Sequence, residues 1–425
     1  MNTLNDLRRT LDQHAHDVAD PATVARTTAV HHRIAAVRRR RRAAGGGALA
    51  LVLVAGVAGL VVPRLTTNAS PAAPTVFGQQ APTTEKSLGY TYRTDGRSAS
   101  GSGHASMGVK TTDRPQLFSW TTDGAAQVTV SLPPDGNVMH STGGFRDFAV
   151  VPPGVTGTIR VSADSGRVAL ASYDLTDTPP AGYTHDGVSF RASVARTPLL
   201  AARVAEGTTD LTTSYVATTG QVSVALMCSH VPEGYSLNVS LNHHGRVSTE
   251  GGSPCGDDTS FDPGATGWAR FPRVGTPGSR VSVRMWVSAK GMDDHHAVPA
   301  SDLPDVQLGV AVYGPVALTR LGGTDVTRYV EYAGHTWVAG RSAEGRGRTP
   351  ITLPATSQDR VGTLAWHTHG QTMISFDAGG TPEGSGGSGG KASIGSLWVP
   401  AGQVAHAHLT RGTGRFGMSL YERID

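Results

Sequence analysis

A mainly β protein is what this chain predicts: tandem antiparallel β-sandwich modules outside a membrane, preceded by a helical tail and one transmembrane helix. Three observations carry that expectation. An uncharged block, residues 43–63, directly follows five consecutive arginines. Beyond residue 86, apolar residues alternate in short runs bounded by Gly, Pro, Asn and Asp, the pattern of half-buried strands rather than helices. A set of sequence landmarks also recurs three times in the same order.

The first 42 residues read as a basic helical tail. Leu4, Leu7 and Leu11 fall at helical spacing, and Asp20-Pro21 offers an N-cap followed by proline at the first helical position. Val30, Ile34 and Val37 continue a weak apolar stripe, too slight to fold alone. The next 21 residues, 43–63, are long enough to span the ~30 Å hydrocarbon core of a bilayer as a helix. Their glycines are tolerated because lipid offers backbone groups no other partner. Arg38, Arg39, Arg40, Arg41 and Arg42 stand on one side of this block and Arg64 alone on the other, so the positive-inside rule places the N-terminus in the cytoplasm and the remainder outside. A cleaved signal peptide is the competing reading, but its n-region would be unusually long.

That division explains the charge. The chain carries +4 overall, yet the tail holds nine Lys/Arg against four Asp/Glu. The basic balance is therefore a topology signal with some attraction to anionic lipid, and no nucleic-acid partner is expected. Residues 64–86, rich in Pro, Ala and Thr without periodicity, read as an extended linker.

The outer region reads as three modules, 87–178, 179–318 and 319–425, each expected to fold independently. "QVTVSL", "QVSVALM" and "QTMISF" begin at Gln127, Gln221 and Gln371, with Tyr90, Tyr183 and Tyr329 at similar distances upstream. Each unit closes on a strand ending in tyrosine, at Tyr173, Tyr313 and Tyr421. Short alternating strands of this kind pack as sandwiches. The middle module is longest, and its extra length includes the region of the only two cysteines, Cys228 and Cys255. An oxidising compartment permits a disulfide between them, worth about 3 kcal/mol for a loop of this size in the chain-entropy model.

The segments "LNDLRRTLDQHAHDVAD" through "HHRIAAVRRRRRAAGG", with the Arg-over-Lys bias, resemble those of actinobacterial single-pass membrane proteins that carry a short helical tail and exported β-modules. Some of those belong to sigma-factor regulatory systems, so the resemblance implies a regulatory role. It covers about the first tenth of the chain, and the His-x-x-x-Cys-x-x-Cys motif of zinc-binding anti-sigma domains is absent.

Catalytic signatures are lacking. There is no Gly-x-Ser-x-Gly elbow, and "SGGSGGKAS" around Lys391 has Ala392 where a phosphate loop needs Ser or Thr. Asp257-Asp258 and Asp293-Asp294 sit in turn-like text. His367 and His369, with His406 and His408, form two His-x-His elements that would hold a metal only if they converged; an exposed strand face is the simpler reading, and His243-His244 and His295-His296 diverge on a strand. No catalytic residue, cofactor or metal is assigned, and the protein is not expected to be an enzyme. The expected function is display of the modules for binding at the cell surface or wall. The partners are membrane lipid, a wall or protein ligand outside, and a cytoplasmic protein for the tail. A transmembrane regulator sensing an external cue is the alternative, and a wall-associated hydrolase the third reading.

Overall fold

The structure, a computed structural model, describes residues 71–425 apart from 110–113, 134–136, 142–144, 255–267, 272–273, 290–295, 379–381, 388–389 and the single positions 125, 146, 153 and 233. The tail, the 38–42 arginine run, the 43–63 block and Cys255 lie outside the described residues. Among those described, no helix is long and apolar enough to cross a membrane.

Residues 69–425 form one compact unit of antiparallel strands, with a single short 3₁₀ turn at Ala300–Asp302 among the described residues. Its sheets fall into three sequential groups: 75–175, 182–313 and 318–423. In the first group two long strands, Tyr90–Val109 and Gly157–Leu175, pair along their length and bend together where the register jumps between Ser102 and His104. Gly166 takes φ +73° at this bend, and a Cβ there would lie 2.5 Å from Asp123 Oδ1, so a side chain is excluded twice over. The bend makes two layers from shared strands. One half carries Gln116–Thr122 and Asp147–Val151, the other Val128–Leu132 and Asn137–Ser141. Phe118, Trp120, Val130, Ile159, Val161 and Leu170 fill the space between.

The last group repeats this design with the long strands Arg360–Ala378 and Ala405–Arg423 around Leu364, Trp366, Phe376, Leu409, Phe416 and Met418. The middle group separates its layers. A five-stranded sheet runs Ser193–Val194, Thr197–Glu206, Gln307–Tyr313, Val222–Ser229, Trp268–Phe271, and a four-stranded sheet runs Asp210–Val216, Arg280–Ser288, Ser236–His243, Arg246–Pro254. Val224, Leu226, Leu237, Val239, Val283 and Val310 lie in the core between them.

Each group opens on two consecutive tight hairpins. Their turns are Phe77–Gly78 and Leu88–Gly89, then Asp186–Gly187 and Ala195–Arg196, then Gly322–Gly323 and Ala333–Gly334, with positive φ at both residues of every turn. That is the type I′ geometry whose twist matches the flanking strands. The first pair lies partly within 64–86: Thr75–Val76, Gln79–Gln80 and Thr84–Ser87 are strands, so the expected linker is already sheet from residue 75.

The threefold repeat has a different register from the one expected. Tyr173, Tyr313 and Tyr421 are all fully buried and pair with Leu117, Ser223 and Val361. The Gln221 strand thus corresponds to Gln116–Thr122 and the first half of Arg360–Ala378, not to the strands after Gln127 and Gln371. Gln116–Thr122 is buried at every position, so it has no alternation by which to be recognised. Tyr183 belongs to a first hairpin, whereas Tyr90 and Tyr329 lie on opposite arms of second hairpins, so their even spacing does not mark equivalent places.

Contacts between groups gather around the opening hairpins. The Arg191 guanidinium, 3% exposed as a residue, pairs with both oxygens of Glu331 at 3.1 and 2.6 Å and donates to the Leu88 carbonyl at 3.1 Å, joining all three groups. The Ala195 N–H adds a 2.8 Å bond to Glu331. Ser87 Oγ donates to the Gly334 carbonyl at 2.6 Å, and His335 stacks on Phe148 with its Nε2 2.8 Å from the Phe148 carbonyl. The groups therefore meet at a seam of polar contacts while each keeps a core of its own.

Candidate functional site

The four-stranded sheet of the middle group presents an open face. Alternation sends Leu211, Tyr215, Val281, Val283, Met285, Leu237, Val239 and Leu241 into the core. The intervening residues form rows on the other side. Ser214, Ser282, Asn242 and Val247 line up across all four strands, beside the row Thr212, Arg284 and Ser240, while Val216 stands opposite Arg280. Over these rows lie two adjoining hollows of about 580 and 820 Å³ that share Thr212, Asn242 and Ser282.

Electrostatics on this face are uneven. Arg284 is held by Asp210, with Nε to Oδ1 at 3.1 Å and Nη2 to Oδ2 at 2.7 Å, and its guanidinium covers the Trp286 ring at 4.8 Å. Arg203 reaches over from the neighbouring sheet, donating from Nη1 to the Thr212 carbonyl at 2.6 Å. Arg280 donates from Nε to Ser214 Oγ at 2.8 Å. Both are exposed, and among the described residues neither has a carboxylate partner. The larger hollow is lined by these two arginines, His244 and hydroxyl and amide side chains, with no acid. Val216 and Val247, 61% and 57% exposed, are the two most exposed large apolar side chains described, and both sit at this face.

Residues singled out in the sequence are placed as follows. Cys228 is fully buried on the Val222–Ser229 strand, and no free cysteine stands among the described residues. His367 and His369 pair with Arg415 and Thr413, while His406 and His408 pair with Asp377 and Ser375. The two histidine pairs thus sit six to ten strand positions apart, ~20–30 Å of extended chain, and His406 is instead 3.0 Å from Thr352 Oγ1. Among the described residues no group of three or more His, Cys, Asp or Glu could hold a metal. Lys391 belongs to the strand Gly390–Val399 and pairs with His367, so its backbone is extended rather than looped for phosphate. The His243 and His244 rings meet edge to face at 4.2 Å, at the turn beside the larger hollow. Asp257, Asp258, Asp293, Asp294 and His295 lie outside the described residues.

The sheet face escapes sequence reading because each strand alone shows mostly polar residues at alternate positions, which is how any solvated face looks. Its only signal was the concentration of Arg, Ser, Thr and Asn on the outward positions of three strands that prove adjacent.

No family model matches the chain, and no curated protein matches it. Solved structures with some likeness include a chain of the lipid-containing bacteriophage PM2, 9% identical over 77% of this chain and 100% of that one, with a TM-score of 0.14. Others are Streptomyces albus 2-hydroxyethylphosphonate dioxygenase, 9% identical over 79% and 72% with a TM-score of 0.13, and Bacillus subtilis oxalate decarboxylase, 10% identical over 79% and 74% with a TM-score of 0.12. Likenesses this weak carry no argument about fold or activity.

Proposed function

We propose that this is a membrane-anchored, extracytoplasmic binding protein: its N-terminal tail is cytoplasmic, residues 43–63 span the bilayer, and the β body outside recognises a surface or wall ligand through the four-stranded face of its middle group. The reading includes a Cys228–Cys255 bridge within that group. The observation that supports it most is the open, row-ordered face over two joined hollows. A rigid sheet presents side chains at fixed spacing, which suits recognition of an extended ligand without a deep pocket. Proposing binding rather than catalysis fits a site of hydroxyls, amides and guanidiniums that lacks a nucleophile with an adjacent base.

The test is retention of the purified full-length protein, in neutral detergent, on isolated cell envelopes of the organism that makes it. Ser282→Trp together with Asn242→Trp should fill the shared floor of both hollows and cut retention at least tenfold, with β-type circular dichroism unchanged. Undiminished retention by the double variant would place the binding surface elsewhere.

A further inference from the structure

Resting on that reading, we infer that the ligand is an acidic polysaccharide, a polymer of hydroxyl-rich rings bearing anionic groups. The larger hollow holds two exposed guanidiniums, Arg203 and Arg280, oriented by neutral partners and, among the described residues, facing no carboxylate. The Arg280 bond uses Nε and the Arg203 bond uses one Nη, so each retains donors of the planar fork that matches a carboxylate or phosphate. The one acid of the adjoining rows, Asp210, is already engaged by Arg284.

Around those charges lie the donors and acceptors that sugar hydroxyls require: Ser214, Ser282, Asn242 and Thr212. Among the described residues the face also offers no bare Phe, Tyr or Trp ring. Trp286 is only 1% exposed under Arg284, so the stacking platform on which a neutral glycan would depend is closed. Discrimination therefore rests on charge, which favours an acidic chain over a neutral one. A lipid surface fits less well, because the floor is recessed and its apolar contribution is two separate valines rather than a wedge that could enter the bilayer.

The experiment is affinity electrophoresis of the full-length protein in neutral detergent, through gels containing polygalacturonate or, separately, dextran. Every protein tested carries Gln in place of Arg at 38 to 42, which removes attraction by the tail. Polygalacturonate should retard this protein and dextran should not. Arg203→Ala with Arg280→Ala should weaken the polygalacturonate interaction at least tenfold, while the control pair Arg341→Ala with Arg348→Ala, exposed arginines of the last group, should leave it intact. Equal retardation by dextran, an unaffected Arg203/Arg280 variant, or an equal loss in the control pair would overturn the inference. So would preferential capture by phosphatidylglycerol vesicles that is lost in the Arg203/Arg280 variant. If envelope retention is abolished by the Trp substitutions but polygalacturonate is ignored, the binding face stands and the ligand class falls; if both fail, the binding face falls as well.

Discussion

Arg191 and Glu331 meet across the seam with side chains 4% and 16% exposed, and each also bonds backbone of another group. Removing one partner of such a pair leaves a charge that the interior cannot solvate, which typically costs more than the pair itself contributes. Glu331→Ala should therefore lower unfolding stability by about 3 kcal/mol in a urea titration, and Glu331→Gln, which keeps an acceptor for the Ala195 N–H, by less. A loss below about 1 kcal/mol would mean that the seam is held by its apolar contacts. Burial pushes the phenols of Tyr173 and Tyr215 from 10.0 up to about 12. The folded chain thus keeps protons that the unfolded chain releases, so their contribution is full below pH 10 and is lost as the pH climbs through 12. In a phenolate absorbance titration these two tyrosines should ionise only with alkaline unfolding, and smooth titration of every tyrosine near pH 10 in folded protein would contradict their burial. Of these residues only Tyr173 stood out in the sequence, as the tyrosine that closes the first unit. Arg191 in "SFRAS" looks like any surface arginine, and only the meeting of hairpins about 140 residues apart in sequence makes it a buried one.

The hairpin is the element on which the repeat turns. Gly334 and Gly245 both occupy type I′ turns with φ near +80°, but a Cβ at Gly334 would lie 2.6 Å from Val150 and 2.8 Å from Ser87 Oγ, whereas at Gly245 it would meet open space. Gly245→Ala should therefore cost only backbone strain, about 1 kcal/mol. Gly334→Ala should add displacement of the neighbouring group, for about 3 kcal/mol in all. Equal losses by thermal unfolding would show that the seam yields freely. Where strands alternate, as in Val128–Leu132 or Arg280–Val287, sequence was enough to find them. The hairpins were missed because turns such as Phe77–Gly78, Leu88–Gly89 and Ala333–Gly334 lack the Asn or Asp that usually announces type I′ geometry. Asp186–Gly187 alone carries that signal. Cys228 tests the middle group in the same way. Non-reducing peptide mapping of exported protein should yield one Cys228–Cys255 pair, and Cys228→Ser should cost about 3 kcal/mol; two alkylatable thiols in the folded protein would remove the bridge.

At the scale of the molecule, the sequence announced a mainly β body, and what it did not announce is the set of contacts that join its three groups. The reason is physical: long-range contacts such as Ser87 to Gly334, Arg191 to Glu331 and Arg423 to Asp147 leave no periodic trace. The proposal depends above all on that body lying outside the cell. The direct measurement is protease treatment of intact, wall-stripped cells expressing the full chain with one epitope tag before Met1 and another after Asp425. The N-terminal tag should survive on a membrane-bound fragment while the C-terminal tag is lost. Replacing the 38–42 arginines with Gln should mix the two orientations. Survival of the C-terminal tag with digestion of the N-terminal one, or protection of both, would contradict the proposal.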